Sequence, residues 1–201
     1  LGKGAALKTA FAFLRGNPTV TGAITADADG QHLPEDILKI LQAAEDGNDD
    51  ALILGVRDFT GVEPPIPFRS RFGNLITRQC FFLLTGLLLT DTQTGLRFYP
   101  ARLVAEADRI TARKYDFELE ILLDALRRQV RLLEIPITTV YEAKNPTSHF
   151  RPVRDSLRIY SIFWKFIFAR FMAASMLAST IDYLLFSSFF FAGMSLWTAL
   201  V

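Results

Sequence analysis

Cysteine is nearly absent from this sequence: the 201 residues include one, Cys80. That excludes an intrachain disulfide and any zinc site built from clustered cysteines. In its Phe/Leu-rich surroundings Cys80 reads as a small buried apolar residue. A surplus of charge is absent too, since 22 Lys and Arg face 21 Asp and Glu for a net charge of +1. Such a balance offers no general attraction to nucleic acid. Internal repeats and low-complexity segments are missing. So is a signal peptide, which needs a basic start, an apolar core and a small-residue cleavage site. The opening "LGKGAALKTAF" has no initiator Met and reads as the interior of a longer chain, so we expect a fragment.

What the sequence does hold is apolar surface, unevenly placed. Half of the residues are hydrophobic and the mean hydropathy is +0.24, high for a soluble domain. Residues 171–194, FMAASMLASTIDYLLFSSFFFAGM, carry a single charge, Asp182. A helix of that length is ~36 Å long, enough to cross a ~30 Å hydrocarbon core. Arg151, Arg154, Arg158, Lys165 and Arg170 precede it, against Asp155 alone. By the positive-inside tendency, the part before the span faces the cytoplasm. Trp164, Phe163, Phe166 and Phe168 among those cations suit an amphipathic helix resting in the headgroup region. A charge inside a span is costly, which makes Asp182 a functional candidate against a helix-packing role.

Residues 1–150 alternate helix and strand signals. Helices are expected at 5–14, from Pro34 to about Ala44, at 69–89 and at 117–129; strands at VTGAITAD (20–27), ALILGVR (51–57) and LLEIPITTVY (132–141). Pro34 suits a first helical turn, and Ile37, Leu38, Ile40 and Leu41 give that helix an apolar face. The 69–89 helix becomes apolar all round, as for a buried or interfacial element. TDTQTGLRFYP (90–100) reads as a Gly-containing turn. The alternation predicts an α/β fold around a largely parallel sheet.

The most informative stretch is TADADGQHLPEDI, residues 25–37. In open α/β sheets ligands sit at the carboxyl ends of strands. Alternation there aims Asp27 and Asp29 to one side and Ala28 to the other. Two carboxylates on one side suit a hard divalent cation, to which Gln31 can add an amide oxygen, while Gly30 allows close approach. The competing reading is a solvated acidic turn.

This segment resembles the Asp-x-Asp segment of family-2 glycosyltransferases, in particular the dolichol-phosphate mannosyltransferase and polyprenyl-phosphate glucosyltransferase group. GKGAALKTAF, LILGVRDF, RSRFGN, TDTQTGLRFYP, YDFELEILLDA, LLEIPITTVY and SHFRPVRDSLRIY follow in that group's order, across nearly all of residues 2–165. From Arg170 the chain resembles the start of a GtrA-like membrane domain. The resemblance implies a partial nucleotide-sugar-binding domain of GT-A-like, Rossmann-type architecture over 1–150. An amphipathic helix over 151–170 and transmembrane helices from 171 to 201 would follow. It implies an inverting transfer of a sugar from a UDP- or GDP-linked donor to a polyprenyl phosphate at the cytoplasmic membrane face. A homo-oligomer is compatible with it. The family's N-terminal strand and acidic Asp-Asp-Gly-Ser segment do not precede the Gly-Lys-Gly helix here, so this stretch alone is expected to bind donor poorly and to be inactive.

Residue by residue, the resemblance implies that Asp27, Asp29 and Gln31 hold Mg²⁺ or Mn²⁺ on the donor diphosphate. Arg57, Arg69, Ser70 and Arg71 become candidates for the donor and acceptor phosphates, with Arg97 reaching phosphate or pairing with Asp91, and Arg151 closing over the diphosphate from a loop with His149 and Arg154. Asp91 would orient a donor hydroxyl or act as base, with Gln93, Thr94 and a positive-φ Gly95 shaping its turn. Of the alternating Asp116, Glu118 and Glu120, Glu118 is the sugar-contacting candidate, against helix-dipole acids as the plain alternative. His32 reads as a loop residue. Two other readings compete. A processive polysaccharide synthase would carry a Gln-x-x-Arg-Trp signature, and RRQVRLLEIP has no Trp. An inactive transferase domain could belong to a lipid-linked-sugar transport or scaffold protein.

Overall fold

The computed structural model describes residues 2–57, 68–114, 116–138 and 152–191, with the backbone alone for 68–72 and most of 152–170. The chain divides into two compact units, Leu1–Tyr160 and Ser161–Val201.

In the first unit, helix α1 (Lys3–Arg15) is followed by strand β1 (Gly22–Thr25), α2 (Pro34–Ala43), β2 (Leu52–Arg57) and α3 (Phe68–Thr85). Then come β3 (Arg97–Pro100), α4 (Ala101–Glu106), α5 (Phe117–Arg127) and β4 (Leu132–Ile137). The strands form one sheet in the order β1-β3-β2-β4. β2 and β4 pair in parallel from Leu52↔Leu132 to Arg57↔Ile137. β3 runs antiparallel to both its neighbours, Thr25↔Arg97 on one side and Ile53↔Phe98 on the other. The sheet is therefore mixed: β1, β2 and β4 share a direction, and the reversed strand lies inside it, where the sequence reading had a turn.

β2 is apolar without alternation because both its faces are covered, and Leu52, Ile53 and Leu54 are fully buried. On one face Ile40, Ala44, Ile53, Leu96, Phe98 and Ile137 form a core. On the other, Phe11 meets Tyr99 edge-on at 5.1 Å and Phe117 at 6.3 Å. α2 starts at Pro34 as expected, yet of its expected apolar face only Ile37 and Ile40 pack into the core; Leu38 is 61% exposed. α3 buries Phe81 and Leu84 but leaves Leu83 76% exposed, and it ends at Gly86, whose φ of 74° continues no helix.

The basic stretch and the apolar stretch form one uninterrupted helix, α6 (Pro152–Phe191). Its part from Phe171 to Phe191 is long and apolar enough to cross a membrane, and none of it is buried. Asp182 lies exposed within it.

α1 packs against the stretch before α5 almost backbone to backbone. A Cβ on Gly4 would lie 2.5 Å from Phe117 Cβ and 2.8 Å from the Arg113 carbonyl carbon. Backbone cannot retreat cheaply, so Gly4→Ala is expected to cost about 1–3 kcal/mol. Gly16, by contrast, caps α1 with φ −72°, and a Cβ there meets nothing closer than 3.6 Å. Gly16→Ala should stabilise by about 0.5 kcal/mol. Chemical denaturation of the two variants checks both signs.

Candidate active site

β1 stops at Thr25, whose hydroxyl donates to the Gly95 carbonyl at 2.9 Å. Asp27 then lies directly on Gly95: a Cβ there would come within 2.2 Å of Asp27 Oδ2. Gly95 does not have positive φ, contrary to expectation; it is glycine because a carboxylate occupies the space of its side chain. Asp29 is not the next outward residue of a strand. It sits exposed in the turn that Gly30 closes at φ 79°, and its Oδ1 accepts the Gln31 N–H at 3.1 Å. The two aspartates share one edge by way of this turn rather than by strand alternation.

Facing Asp27 is a residue the sequence reading passed over. Lys3, in the first turn of α1, places Nζ 2.5 Å from Asp27 Oδ1 and 2.9 Å from Glu118 Oε1. Burial on its own would lower the Lys3 pKa, but the charges of Glu118 and Asp27 outweigh it and the pKa is raised. The ammonium is thus fully charged at neutral pH. His32 lies in the same field. Its Nδ1 is buried without a hydrogen-bond partner among the described residues, and burial lowers its pKa although Asp27 and Asp29 pull it up.

Of the three acids around the start of α5, Glu118 alone reaches this cluster. Asp116 accepts the Lys114 N–H at 2.9 Å, and Glu120 accepts the Ala112 N–H at 2.9 Å, both closing the local loop.

At the end of β2, Arg57 and Asp91 form a two-bonded ion pair, Nε to Oδ2 at 2.6 Å and Nη2 to Oδ1 at 3.2 Å. Asp91 is fully buried and also accepts the Gln93 N–H at 2.9 Å. Gln93 in turn donates to Thr77 Oγ1 at 3.1 Å. Arg97 does something else entirely. It is fully buried and donates to the carbonyls of Thr94 at 2.8 Å, Glu118 at 2.7 Å and Thr92 at 2.9 Å. It neither pairs with Asp91 nor reaches a surface where a phosphate could meet it. The expected phosphate role for Arg97 is replaced by a structural one. Arg69, Ser70 and Arg71 lie on the first turn of α3, but their side chains are outside the described residues, as are His149, Arg151 and the Arg154 side chain.

The donor set fits a hard divalent cation. Asp29 Oδ2, the Gln31 amide and the one-third-exposed Asp27 carboxylate are oxygen donors within a single turn. Among the described residues no three His, Cys, Asp or Glu are gathered as a metal group, so the amide and outside ligands would have to complete the shell.

The mixed α/β sheet, with an acidic turn at the carboxyl end of its first strand, resembles the GT-A glycosyltransferase fold. The chain belongs to glycosyl transferase family 2, whose family model matches residues 1–104. It is 33% identical over 139 residues to a UDP-N-acetylglucosamine–dolichyl-phosphate N-acetylglucosaminyltransferase of Methanococcus voltae, covering 63% of this chain and 55% of that protein. It is 32% identical over 124 residues to an undecaprenyl-phosphate mannosyltransferase of Micrococcus luteus, covering 58% and 48%. The chain thus spans about half the length of these relatives. Its fold is similar to that of the UDP-bound glucosyl-3-phosphoglycerate synthase of Mycobacterium tuberculosis, with a TM-score of 0.59, 14% identity, and coverage of 83% of this chain and 55% of that one.

The buried arginine contacts yield three stability predictions. Arg57→Met strands a fully buried carboxylate and should cost about 3 kcal/mol. Asp91→Asn, which leaves a guanidinium within reach of water, should cost roughly half as much. Arg97→Lys should also destabilise by about 3 kcal/mol, because an ammonium cannot span three carbonyls in fixed directions. Urea unfolding midpoints check the order, with the Asp91 variant above the two arginine variants.

Proposed function

We propose that this chain is the catalytic part of a membrane-bound glycosyltransferase that moves a sugar from a nucleotide sugar to a polyprenyl phosphate. The observation that carries the reading is the acidic turn: Asp27 seated on Gly95 with Asp29 and Gln31 beside it, at the carboxyl end of β1. Relatives named for dolichyl- and undecaprenyl-phosphate acceptors support the acceptor class.

The acceptor phosphate is already anionic at neutral pH, its second pKa being about 6. Its oxygen attacks the anomeric carbon, the bond to the nucleoside diphosphate breaks on the opposite face, and the configuration inverts. Asp27, Asp29 and Gln31 would hold Mg²⁺ or Mn²⁺, which supplies charge neutralisation for the departing diphosphate. Asp91 aims the Arg57 guanidinium through two hydrogen bonds, a positioning role that suits it better than a base. Arg57, with Arg69, Ser70, Arg71 and Arg151, meets the phosphates, which planar guanidinium groups bind in two-bonded fashion. Glu118 addresses the sugar from the first turn of α5. The α6 segment Phe171–Phe191 anchors the protein as an integral membrane protein, and its basic flank keeps the catalytic part cytoplasmic. A GtrA-like membrane domain continues from that helix.

Membranes expressing the complete gene provide the test. With polyprenyl phosphate and Mn²⁺ or Mg²⁺, UDP-N-acetylglucosamine, UDP-glucose and GDP-mannose are supplied separately and sugar extractable into organic solvent is counted. One donor should give metal-dependent transfer, reduced about 100-fold or more by Asp29→Asn. Absence of transfer from every donor, with folded protein in the membrane, points instead to an inactive domain in a transport or scaffold protein.

A further inference from the structure

The Gly-Lys-Gly opening of α1 is built to deliver one ammonium group. A Cβ on Gly2 would lie 2.9 Å from the Arg113 carbonyl oxygen, and one on Gly4 would meet Phe117 Cβ at 2.5 Å. The Ala5 N–H donates to the same Arg113 carbonyl at 2.9 Å. The first turn of α1 is therefore locked to the entrance of α5 on both sides of Lys3. From there the Lys3 side chain, 24% exposed, reaches Asp27 and Glu118, carboxylates from two different parts of the chain.

Both oxygens of Asp27 are thereby engaged. Oδ1 holds the ammonium, and Oδ2 is packed on Gly95. A divalent cation approaching Asp27 meets a cation already in place. We propose that Lys3 is the resting counter-cation of Asp27, that it competes with the divalent cation for this carboxylate, and that once displaced it remains tethered by Glu118 as a positive charge available to the anionic donor. Lys3 is then a positioning residue that sets metal affinity and couples metal binding to donor binding. This inference rests on the reading of Asp27 as a metal ligand.

The competition has a direct readout that needs no turnover. Free Mn²⁺ is followed by electron paramagnetic resonance during titration of the purified protein in detergent, without nucleotide. Lys3→Met and Lys3→Gln should each bind Mn²⁺ about 5-fold or more tightly than the wild type, the lower range of a site-to-site coupling. Lys3→Arg, which keeps the charge, should not. At saturating Mn²⁺ the affinity for UDP should fall by about the same factor in the two neutral variants. The comparison is made on whichever neutral variant keeps the melting temperature of the wild type, Gln retaining a hydrogen-bonding group where Met does not. Equal or weaker Mn²⁺ binding in such a variant overturns the competition while leaving the metal site standing. If neither wild type nor variants bind Mn²⁺, the metal reading and this inference fall together.

Discussion

The guanidinium of Arg97 touches no carboxylate, yet the geometry around the candidate site hangs on it. From within the sheet it donates to the carbonyls of Thr92, Thr94 and Glu118. Those three groups belong to the loop leading into β3 and to the first turn of α5, segments with no ladder between them. Buried carbonyls without donors are costly, and so is a buried charge without acceptors. Only the joint arrangement satisfies both. Once it is made, Asp91 stands one residue from one pinned carbonyl, Gly95 follows another, and Glu118 carries the third. The ion pair to Arg57, the seat beneath Asp27 and the second anchor of Lys3 are thus fixed together.

Around that frame the charges do not cancel. Asp91 is matched by Arg57. Asp27 and Glu118 share the ammonium of Lys3, and Asp29 stands in the adjoining turn. Among the described residues this cluster therefore carries a surplus of negative charge, at the edge where the proposed anionic donor would bind. Such an edge would repel a diphosphate in the absence of another cation. On the reading proposed above, a divalent ion held by these carboxylates would remove that conflict, which would give Asp27 and Asp29 a physical reason to stand where they do.

How much of this the sequence displays depends on the range of each interaction. α2, β2 and β4 were legible because Pro34 marks a helix start and LILGV is a strand buried on both faces. β3 was not. It begins with an arginine in the core and ends in a proline, both of which argue locally for a loop, and the carbonyls that pay for Arg97 cannot be seen from its neighbours in sequence. The acidic pair was legible as a pair but not as a shape, because β1 ends at Thr25 and a turn, not a pleat, presents Asp29. Lys3 was illegible for the plainest reason: both its partners lie far along the chain. The two glycines flanking it were the available signal, since spacing of that kind marks close backbone approach.

The pairing of charges also bears on what kind of acceptor the site suits. A sugar hydroxyl has to lose its proton as it attacks, so a transferase that extends a polysaccharide needs a carboxylate free to take it. Here Asp91 is sealed from water and held by two bonds from Arg57, and Glu118 is bound to Lys3. Asp29 is exposed, but its Oδ1 is engaged with the Gln31 N–H, and the proposed reading assigns it to the cation. A phosphate needs no such base, because it arrives ionised. What it needs is positive charge to meet it and a fixed direction of approach. Arg57, aimed by a buried carboxylate at the end of β2, supplies the first and part of the second, so the described residues are consistent with the lipid-phosphate acceptor proposed above.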